Sequence, residues 1–189
     1  ISDNNKIQKI TFTSRDSRDN SGSIHSMIID ASDYGENDLE YVSIHPENTG
    51  GFNTIYFGSD GNDIFSGGAS INEVYGGNGD DSITGNTNDD IFKGEEGNDT
   101  INGVSGNDKA IYSGNLSDYQ ITRKTYNSFE VKDIRTNAID GTDTVIDIDT
   151  LIFSNANYEL VTLGNSGSSI FKISGTAEVG QQLSITESS

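Results

Sequence analysis

The chain has 189 residues, with 30 acidic and 11 basic side chains and a formal net charge of −19. Nucleic acids and anionic membrane surfaces would repel this charge, which requires cations as its counterpart. No cysteine is present, so disulfides and thiolate metal sites are excluded, and only 31% of the residues are hydrophobic. So small an apolar share indicates that something besides a large core stabilises the fold.

Residues 1–57 are predicted to form a β-strand head. Short runs rich in Ile, Val, Tyr, Phe and Thr alternate with polar residues, and Asp, Asn, Ser and Gly turns separate them. The runs are 7–13, 24–29, 39–44 and 54–57. No segment of the chain has a helical period, so the predicted fold class is all-β.

Residues 58–111 are six tandem nonapeptides that all open on glycine: GSDGNDIFS, GGASINEVY, GGNGDDSIT, GNTNDDIFK, GEEGNDTIN and GVSGNDKAI. Position six is aspartate in five of them and asparagine in the other: Asp63, Asn72, Asp81, Asp90, Asp99 and Asp108. Position eight is apolar throughout: Phe65, Val74, Ile83, Phe92, Ile101 and Ala110. The pattern G-G-x-G-x-D-x-U-x is typical of a calcium-binding parallel β-roll. A glycine-rich disordered linker is disfavoured, because linkers do not keep register.

Each nonapeptide is predicted to be a six-residue turn followed by a three-residue strand, with position eight pointing into a thin core between two sheets. Two nonapeptides complete one coil, so turns 18 residues apart stack on the same side. The turns that open at 58, 76 and 94 form what we call the first edge. Those that open at 67, 85 and 103 form the second edge.

A calcium ion between two stacked turns would take backbone carbonyls from both and a position-six carboxylate from each, which are the hard oxygen ligands that calcium prefers. Two sites are predicted on the first edge and one on the second, between Asp90 and Asp108. A weak or empty site is predicted between Asn72 and Asp90, because Asn72 replaces aspartate and Ser70 and Asn88 replace glycine at position four. The predicted metal-ligating residues are Gly58, Asp60, Gly61, Asp63, Gly76, Gly77, Asn78, Gly79, Asp81, Gly94, Glu95, Glu96, Gly97 and Asp99 on the first edge, and Gly85, Thr87, Asp90, Val104, Gly106 and Asp108 on the second.

Calcium is also expected to control folding. Eleven acidic residues and a single lysine, Lys93, lie between residues 58 and 108. Without cations this segment repels itself, and its apolar content is too low to offset the chain entropy. The roll is therefore expected to be disordered where calcium is scarce and folded where it is abundant.

A β capping segment is predicted over residues 112–163, with strands at 119–122, 129–131, 144–148 and 151–153 and a turn at 140–143. Residues 1–50 either form a β-sandwich with this segment or extend the roll. Residues 164–169 are predicted to be a linker. The rest of the chain, to residue 189, is expected to contain the first strand of a following module, at 173–185.

The repeats resemble those of the RTX (hemolysin-type calcium-binding repeat) family, which Gram-negative bacteria export by type I secretion. Residues 110–122, 131–133, 141–144 and 151–153 are similar to the segment that commonly caps RTX rolls. Residues 173–183 resemble the opening strand of the tandem modules in giant RTX adhesins. The resemblance implies several bound Ca²⁺ ions, export in an unfolded state and an extracellular or cell-surface location, and it extends to the calcium-dependent peptide-binding module of such adhesins.

The functional hypothesis is a calcium-dependent adhesion module that recognises a peptide or protein on another cell and is continuous with other adhesin modules. A purely structural folding or spacer module and a glycan-binding module remain the alternatives. Candidate ligand-binding residues are Asp30, Asp33, Asp38, Asp140 and Asp143. Direct membrane insertion is not expected, since no apolar run is long enough for a transmembrane helix.

Two further functions are disfavoured. An enzyme is not expected, because the sequence has neither a His-Glu-x-x-His nor a Gly-x-Ser-x-Gly motif and its two histidines, His25 and His45, lie in strand-like contexts. Ice binding would need a ladder of Thr or Asn at matching turn positions on one edge. The residues at position three do not form such a ladder on either edge.

Overall fold

The structure, a computed structural model, describes residues 8–12, 26–36, 38–43, 53–68, 70–160, 171–172 and 186–187. His25, His45, the predicted linker 164–169 and the predicted strand 173–185 lie outside the described residues. Strands dominate, and the only helices among the described residues are two short 3-10 helices, Ser32–Tyr34 and Leu116–Asp118. Neither is long or apolar enough to cross a membrane.

Seventeen strands are described, numbered in chain order. Before and within the repeats they are β1 (Gln8–Phe12), β2 (Ser26–Asp30), β3 (Leu39–Ser43), β4 (Asn53–Phe57), β5 (Ile64–Ser66), β6 (Asn72–Asn78), β7 (Ser82–Thr84), β8 (Ile91–Glu96), β9 (Thr100–Asn102) and β10 (Lys109–Ile111). After them come β11 (Tyr119–Arg123), β12 (Ser128–Asp133), β13 (Thr142–Ile146), β14 (Thr150–Ile152), β15 (Asn157–Glu159), β16 (Phe171–Lys172) and β17 (Thr186–Glu187).

Two mainly parallel sheets face each other, with antiparallel pairs only at the ends that hold β11, β12 and β15, and successive strands of the roll alternate between them. The order is β1-β3-β5-β7-β9-β13-β12-β11 in one sheet and β15-β14-β10-β8-β6-β4-β2 in the other. Within the repeats, Phe65 aligns with Ile83 and Val74 aligns with Phe92, each pair 18 residues apart. This register confirms both the predicted parallel β-roll and the assignment of alternate turns to two edges.

The sheets continue on both sides of the six nonapeptides. β2 pairs in parallel with β4 and β3 with β5, while β13 pairs in parallel with β9 and β14 with β10. The described strands before residue 58 therefore extend the roll and do not pack as a separate sandwich against those after residue 111. Their apolar residues fall in the same register, since Tyr41 aligns with Phe65 and Leu151 with Ala110.

One antiparallel hairpin interrupts the roll. β11 and β12 pair with each other, and β12 pairs with β13, so the hairpin lies at the end of the first sheet. The predicted strands in this segment, 119–122 and 129–131, are the two arms of this hairpin.

The core is the predicted row of position-eight side chains. Phe65, Val74, Ile83, Phe92, Ile101 and Ala110 are all 0–2% exposed, which confirms the prediction. Aromatic side chains widen the row at both ends. Tyr41 stacks on Phe65 with 5.1 Å between ring centroids, and Tyr112 stacks on Phe153 with 5.4 Å between them.

Two strands are longer than the predicted three residues. β6 and β8 continue into the following turns because Gly77 pairs with Glu95 and Asn78 pairs with Glu96. The turns of the first edge therefore join one another through backbone pairing as well as through their side chains.

Candidate metal centre

Position six places its side chains in two buried columns, one along each edge. Asp81, Asp99, Asp90 and Asp108 are all 0–3% exposed. Each carboxylate accepts a hydrogen bond through Oδ1 from the backbone N–H of the preceding position six on its edge. The distances are 2.8 Å from Asp81 N to Asp99 and 2.8 Å from Asp90 N to Asp108. These bonds hold successive turns in register.

The second carboxylate oxygen has no partner in three of these aspartates. Asp81 Oδ2, Asp99 Oδ2 and Asp108 Oδ2 are buried and make no hydrogen bond. A buried carboxylate with an unsatisfied oxygen is costly unless a cation compensates its charge. Burial raises the pKa of Asp81 to about 9, that of Asp108 to about 7 and that of Asp99 to about 6.

The turns that contain these aspartates have a left-handed backbone at positions two and four. The φ angles are +107° at both Gly77 and Gly79, +77° at Glu95 and +135° at Gly97. A Cβ atom on Gly97 would lie 1.9 Å from the Gly79 carbonyl oxygen, so the stacked turns approach at backbone distance. Turn 103–108 has the same conformation, with Val104 and Gly106 at positive φ.

Turn 58–63, at the start of the first edge, differs from this pattern. Its position two, Ser59, and its position four, Gly61, do not have positive φ. Both oxygens of Asp63 are satisfied: Oδ2 accepts from Ser59 N at 2.7 Å, and Oδ1 accepts from Leu39 N at 2.8 Å. Leu39 precedes Asp63 in the column and brings no carboxylate, so Asp63 can share a cation only with Asp81.

An asparagine side chain lies between turns 67–72 and 85–90 on the second edge. Asn86 Nδ2 donates to the carbonyl oxygens of Gly68 and Ser70. Asn72 donates to Asp90 Oδ1 from its backbone at 2.7 Å and from its side chain at 3.1 Å. Asp90 Oδ2 accepts from Asn86 N at 2.9 Å, so both of its oxygens are satisfied without a metal ion.

A ladder of position-five side chains, which the sequence interpretation missed, follows the outside of the roll. Asn62 Oδ1 accepts from Asp80 N at 2.7 Å, and Asp80 Oδ1 accepts from Asn98 N at 2.8 Å. On the second edge Asp89 Oδ1 accepts from Asn107 N at 2.9 Å. Asn or Asp occupies position five in five of the six nonapeptides, and that regularity was the available signal.

Three of the candidate ligand-binding aspartates lie near the start of the described roll. Asp30 is exposed and accepts from Ser32 Oγ at 2.6 Å, which lowers its pKa, and Asp33 is exposed in the first 3-10 helix. Asp38 extends the position-five ladder by accepting from Asn62 N at 2.9 Å. Asp30 and Asp33 therefore lie in an exposed local turn, and Asp38 links neighbouring turns of the roll.

The other two candidates, Asp140 and Asp143, lie together beyond β9, at the opposite end of the first sheet. They line one small cavity with Gly94 and Glu95. Asp140 accepts hydrogen bonds from Ser113 and from Tyr119 Oη. Burial raises the pKa of Asp143 to about 8.

A comparison with known protein families identifies the type of repeat. The family model for the RTX calcium-binding nonapeptide repeat (4 copies) matches residues 49–81, 57–92 and 75–110. Residues 49–110 therefore consist of RTX calcium-binding repeats. No curated protein and no solved structure matches it.

The residues of this RTX roll fit calcium. No group of three or more His, Asp or Glu side chains that could hold an ion occurs among the described residues, so the turns must supply carbonyl oxygens as well. Both Oδ2 atoms lack a partner in the pair Asp81 with Asp99, and one of the two lacks a partner in the pairs Asp63 with Asp81 and Asp90 with Asp108. These are the pairs that would hold ions. A calcium ion there would neutralise the buried carboxylates and cross-link the stacked turns.

Proposed function

We propose that the chain is a calcium-triggered folding module of a large secreted bacterial adhesin, and that it presents a ligand-binding surface once it is folded. RTX repeats bind calcium and occur in secreted proteins. The observation that supports the folding trigger is the set of buried, unpartnered carboxylate oxygens in Asp81, Asp99 and Asp108. Without cations these groups oppose folding, and bound calcium makes the same groups cross-links.

Folding that depends on calcium is suited to the export of the chain from the cell. The chain would stay unfolded in a calcium-poor cytoplasm, pass through a type I secretion channel and fold outside the cell in abundant calcium. The net charge of −19 adds to this effect, because its self-repulsion opposes the compact state until ions are bound.

Circular dichroism during a calcium titration tests the trigger. The strand signal is expected to be absent in EGTA and to appear cooperatively as calcium is added. Asp81→Asn with Asp99→Asn should shift the midpoint to at least tenfold more calcium. The matched control, Glu36→Gln with Glu159→Gln, removes the same charge from exposed side chains that are not predicted ligands, and it should shift the midpoint little. A native strand signal in EGTA would refute the trigger.

A surface beside the hairpin supports the adhesive part of the proposal. An open pocket is lined by Arg135, Thr136, Asn137 and Ile139. Ile134 and Ile139 are 55% and 46% exposed, and the Arg135 side chain is 28% exposed. These exposed apolar side chains, beside the polar side chains of Thr136 and Asn137, suit an apolar segment of a peptide. The resemblance of residues 173–183 to adhesin modules supports the same context.

Peptide and glycan arrays probed in calcium and in EGTA test this surface. Calcium-dependent binding to peptides, lost in Ile134→Asp and Ile139→Asp but kept in Ile28→Asp, would support a peptide-binding module. Ile28 is a suitable control because it is 65% exposed and lies near the other end of the roll. Binding to glycans alone would favour the glycan alternative. No calcium-dependent partner would favour a structural spacer.

A further inference from the structure

A seventh turn of the roll lies outside the six nonapeptides. Residues 138–146 read AIDGTDTVI, with Gly141 at position four, Asp143 at position six and Val145 at position eight. We call residues 138–143 the closing turn. Val145 aligns with Ile101 in the parallel sheet and is completely buried. The segment has the spacing and the placement of a repeat, although the hairpin separates it from the other six.

The closing turn stacks on turn 94–99 through the hydrogen bonds that join the repeats of the first edge. Asp99 N donates to Asp143 Oδ1 at 2.9 Å, as Asp81 N donates to Asp99 Oδ1 at 2.8 Å. Thr144 N donates to the Asp99 carbonyl oxygen at 2.8 Å. Asp143 therefore extends the aspartate column by one member, 44 residues after Asp99.

The backbones of these two turns approach as closely as those of the repeats. A Cβ atom on Gly141 would lie 1.9 Å from the Gly97 carbonyl oxygen, the same distance as between a Cβ on Gly97 and the Gly79 carbonyl oxygen. Gly141 also has a positive φ, of +59°. Gly97 N donates to the Ile139 carbonyl oxygen at 3.4 Å, which adds a link between the turns.

The oxygens between the two turns lack a compensating charge. Asp99 is 1% exposed, and its Oδ2 atom has no hydrogen-bond partner. It lies beside Gly94, which lines the cavity shared with Asp140 and Asp143. Asp143 is itself only 2% exposed.

The nearby basic side chains are engaged with other carboxylates. Lys93 lines the same cavity but forms an ion pair with Glu95 at 2.8 Å. Arg135 pairs with two other aspartates of the hairpin region. Across the described part of the chain, no ion pair reaches Asp99 or Asp143. Asp99 and Asp143 are thus buried neighbours in the column without a protein cation.

We infer that a calcium ion binds between turn 94–99 and the closing turn, held by the carboxylates of Asp99 and Asp143 together with carbonyl oxygens of the two turns. This inference rests on the proposed calcium roll and adds an ion outside the six nonapeptides. The ion fastens the chain that returns from the hairpin onto the last turn of the first edge. The bound ion thereby adds to the strand pairing and hydrogen bonds that join the hairpin to the roll.

Counting bound ions by native mass spectrometry of the full chain tests the site. Asp143→Asn keeps the oxygen that accepts from Asp99 N but removes one charge, and the variant is expected to bind one calcium fewer than the wild type. Glu130→Gln is the matched control, because it removes one charge from the hairpin at a side chain paired with exposed Lys124. Its calcium count should equal that of the wild type.

Terbium luminescence gives a second readout that does not depend on the fold of Asp143→Asn. Tyr112 lines the cavity, so terbium bound there should be sensitised by its ring. Tyr112→Phe should lower the emission while the calcium count stays the same. An unchanged count in folded Asp143→Asn, or unchanged emission in Tyr112→Phe, would overturn the inference. Failure of the wild type to bind any calcium would instead refute the proposed function.

Discussion

At the scale of single residues, the two carboxylate oxygens have separate roles in Asp81, Asp99 and Asp108. Oδ1 of Asp99 accepts the backbone N–H of Asp81 and sets the register, whereas Oδ2 is buried without a partner. Asparagine keeps an amide oxygen but replaces the other oxygen with a donor. Asn72 can therefore occupy the column, but it brings no negative charge, and its Nδ2 donates to Asp90 Oδ1.

The first prediction concerns the second edge, where the Asn86 amide donates to two turn carbonyls that calcium would otherwise use. Asn86→Gly with Asn72→Asp removes that amide and restores the missing carboxylate. The double variant should bind one more calcium ion than the wild type, counted by native mass spectrometry. Asn72→Asp alone should gain none, because Asn86 still lies between the turns. An equal count in the wild type and a folded double variant would contradict the prediction.

The second prediction concerns the close approach of stacked turns at Gly97. Gly97→Ala places a Cβ atom 1.9 Å from the Gly79 carbonyl oxygen at a φ of +135°. The combined clash and strain should lower the free energy of unfolding in saturating calcium by about 3 kcal/mol. Urea unfolding followed by tyrosine fluorescence measures it. Gly35→Ala is the control, because Gly35 also has positive φ but nothing within 4 Å, so its loss should be smaller.

At the scale of elements, Arg135 fixes the hairpin to the roll. Its Nη2 lies 2.6 Å from Asp133 Oδ2 and 3.3 Å from Asp140 Oδ1, and both carboxylates are almost fully buried. Burial raises the pKa of Asp133, but its hydrogen bonds with Arg135 outweigh burial and hold the value below its usual range. The same guanidinium also donates to Tyr119 Oη at 3.1 Å.

The third prediction is that Arg135→Met destabilises the protein strongly. Two buried carboxylates lose their counter-charge, so the free energy of unfolding in calcium should fall by about 3–5 kcal/mol. Arg135→Lys should recover only part of it, since lysine cannot make the paired bonds to Asp133. The control is Lys124→Met, whose exposed partner is Glu130 and whose loss should stay below about 1 kcal/mol. Similar losses in Arg135→Met and Lys124→Met would refute this role of Arg135.

The sequence predicted the repeated elements well because position six and position eight recur every nine residues. It predicted the strands of the hairpin from their alternation. The period ends at residue 111, however, and the hairpin then separates Asp99 from Asp143 by 44 residues. Residues 138–146 keep the spacing of a repeat, but strand pairing is what shows that Asp143 follows Asp99 in the column. The hydrogen bonds of the Asn86 amide could not be predicted from the local sequence either, because their acceptors belong to a turn one coil earlier.

At the scale of the whole molecule, the buried aspartates link folding to pH as well as to calcium. The pKa values are raised to about 9 at Asp81, 8 at Asp143, 7 at Asp108 and 6 at Asp99. The cause at each is first of all burial, which disfavours the charged form. Protons and calcium ions therefore compete for the same oxygens.

The fourth prediction follows from the direction of these shifts. A group whose pKa is higher in the folded than in the unfolded chain contributes stability that is complete below the unfolded value, near 4, and is lost as pH rises through the folded value. In calcium-stripped protein, strand content measured by circular dichroism should therefore be higher at pH 5 than at pH 8. In calcium the protein should stay folded at pH 8, with an affinity for calcium that weakens as pH falls.

The variant with Asp81→Asn and Asp99→Asn separates this effect from the general charge of the chain. It removes two of the titrating groups, so its calcium-free strand content should depend less on pH than that of the wild type. The control Glu36→Gln with Glu159→Gln removes the same amount of negative charge and should keep the wild-type pH dependence. If both variants respond to pH alike, overall self-repulsion governs folding and the aspartate columns do not.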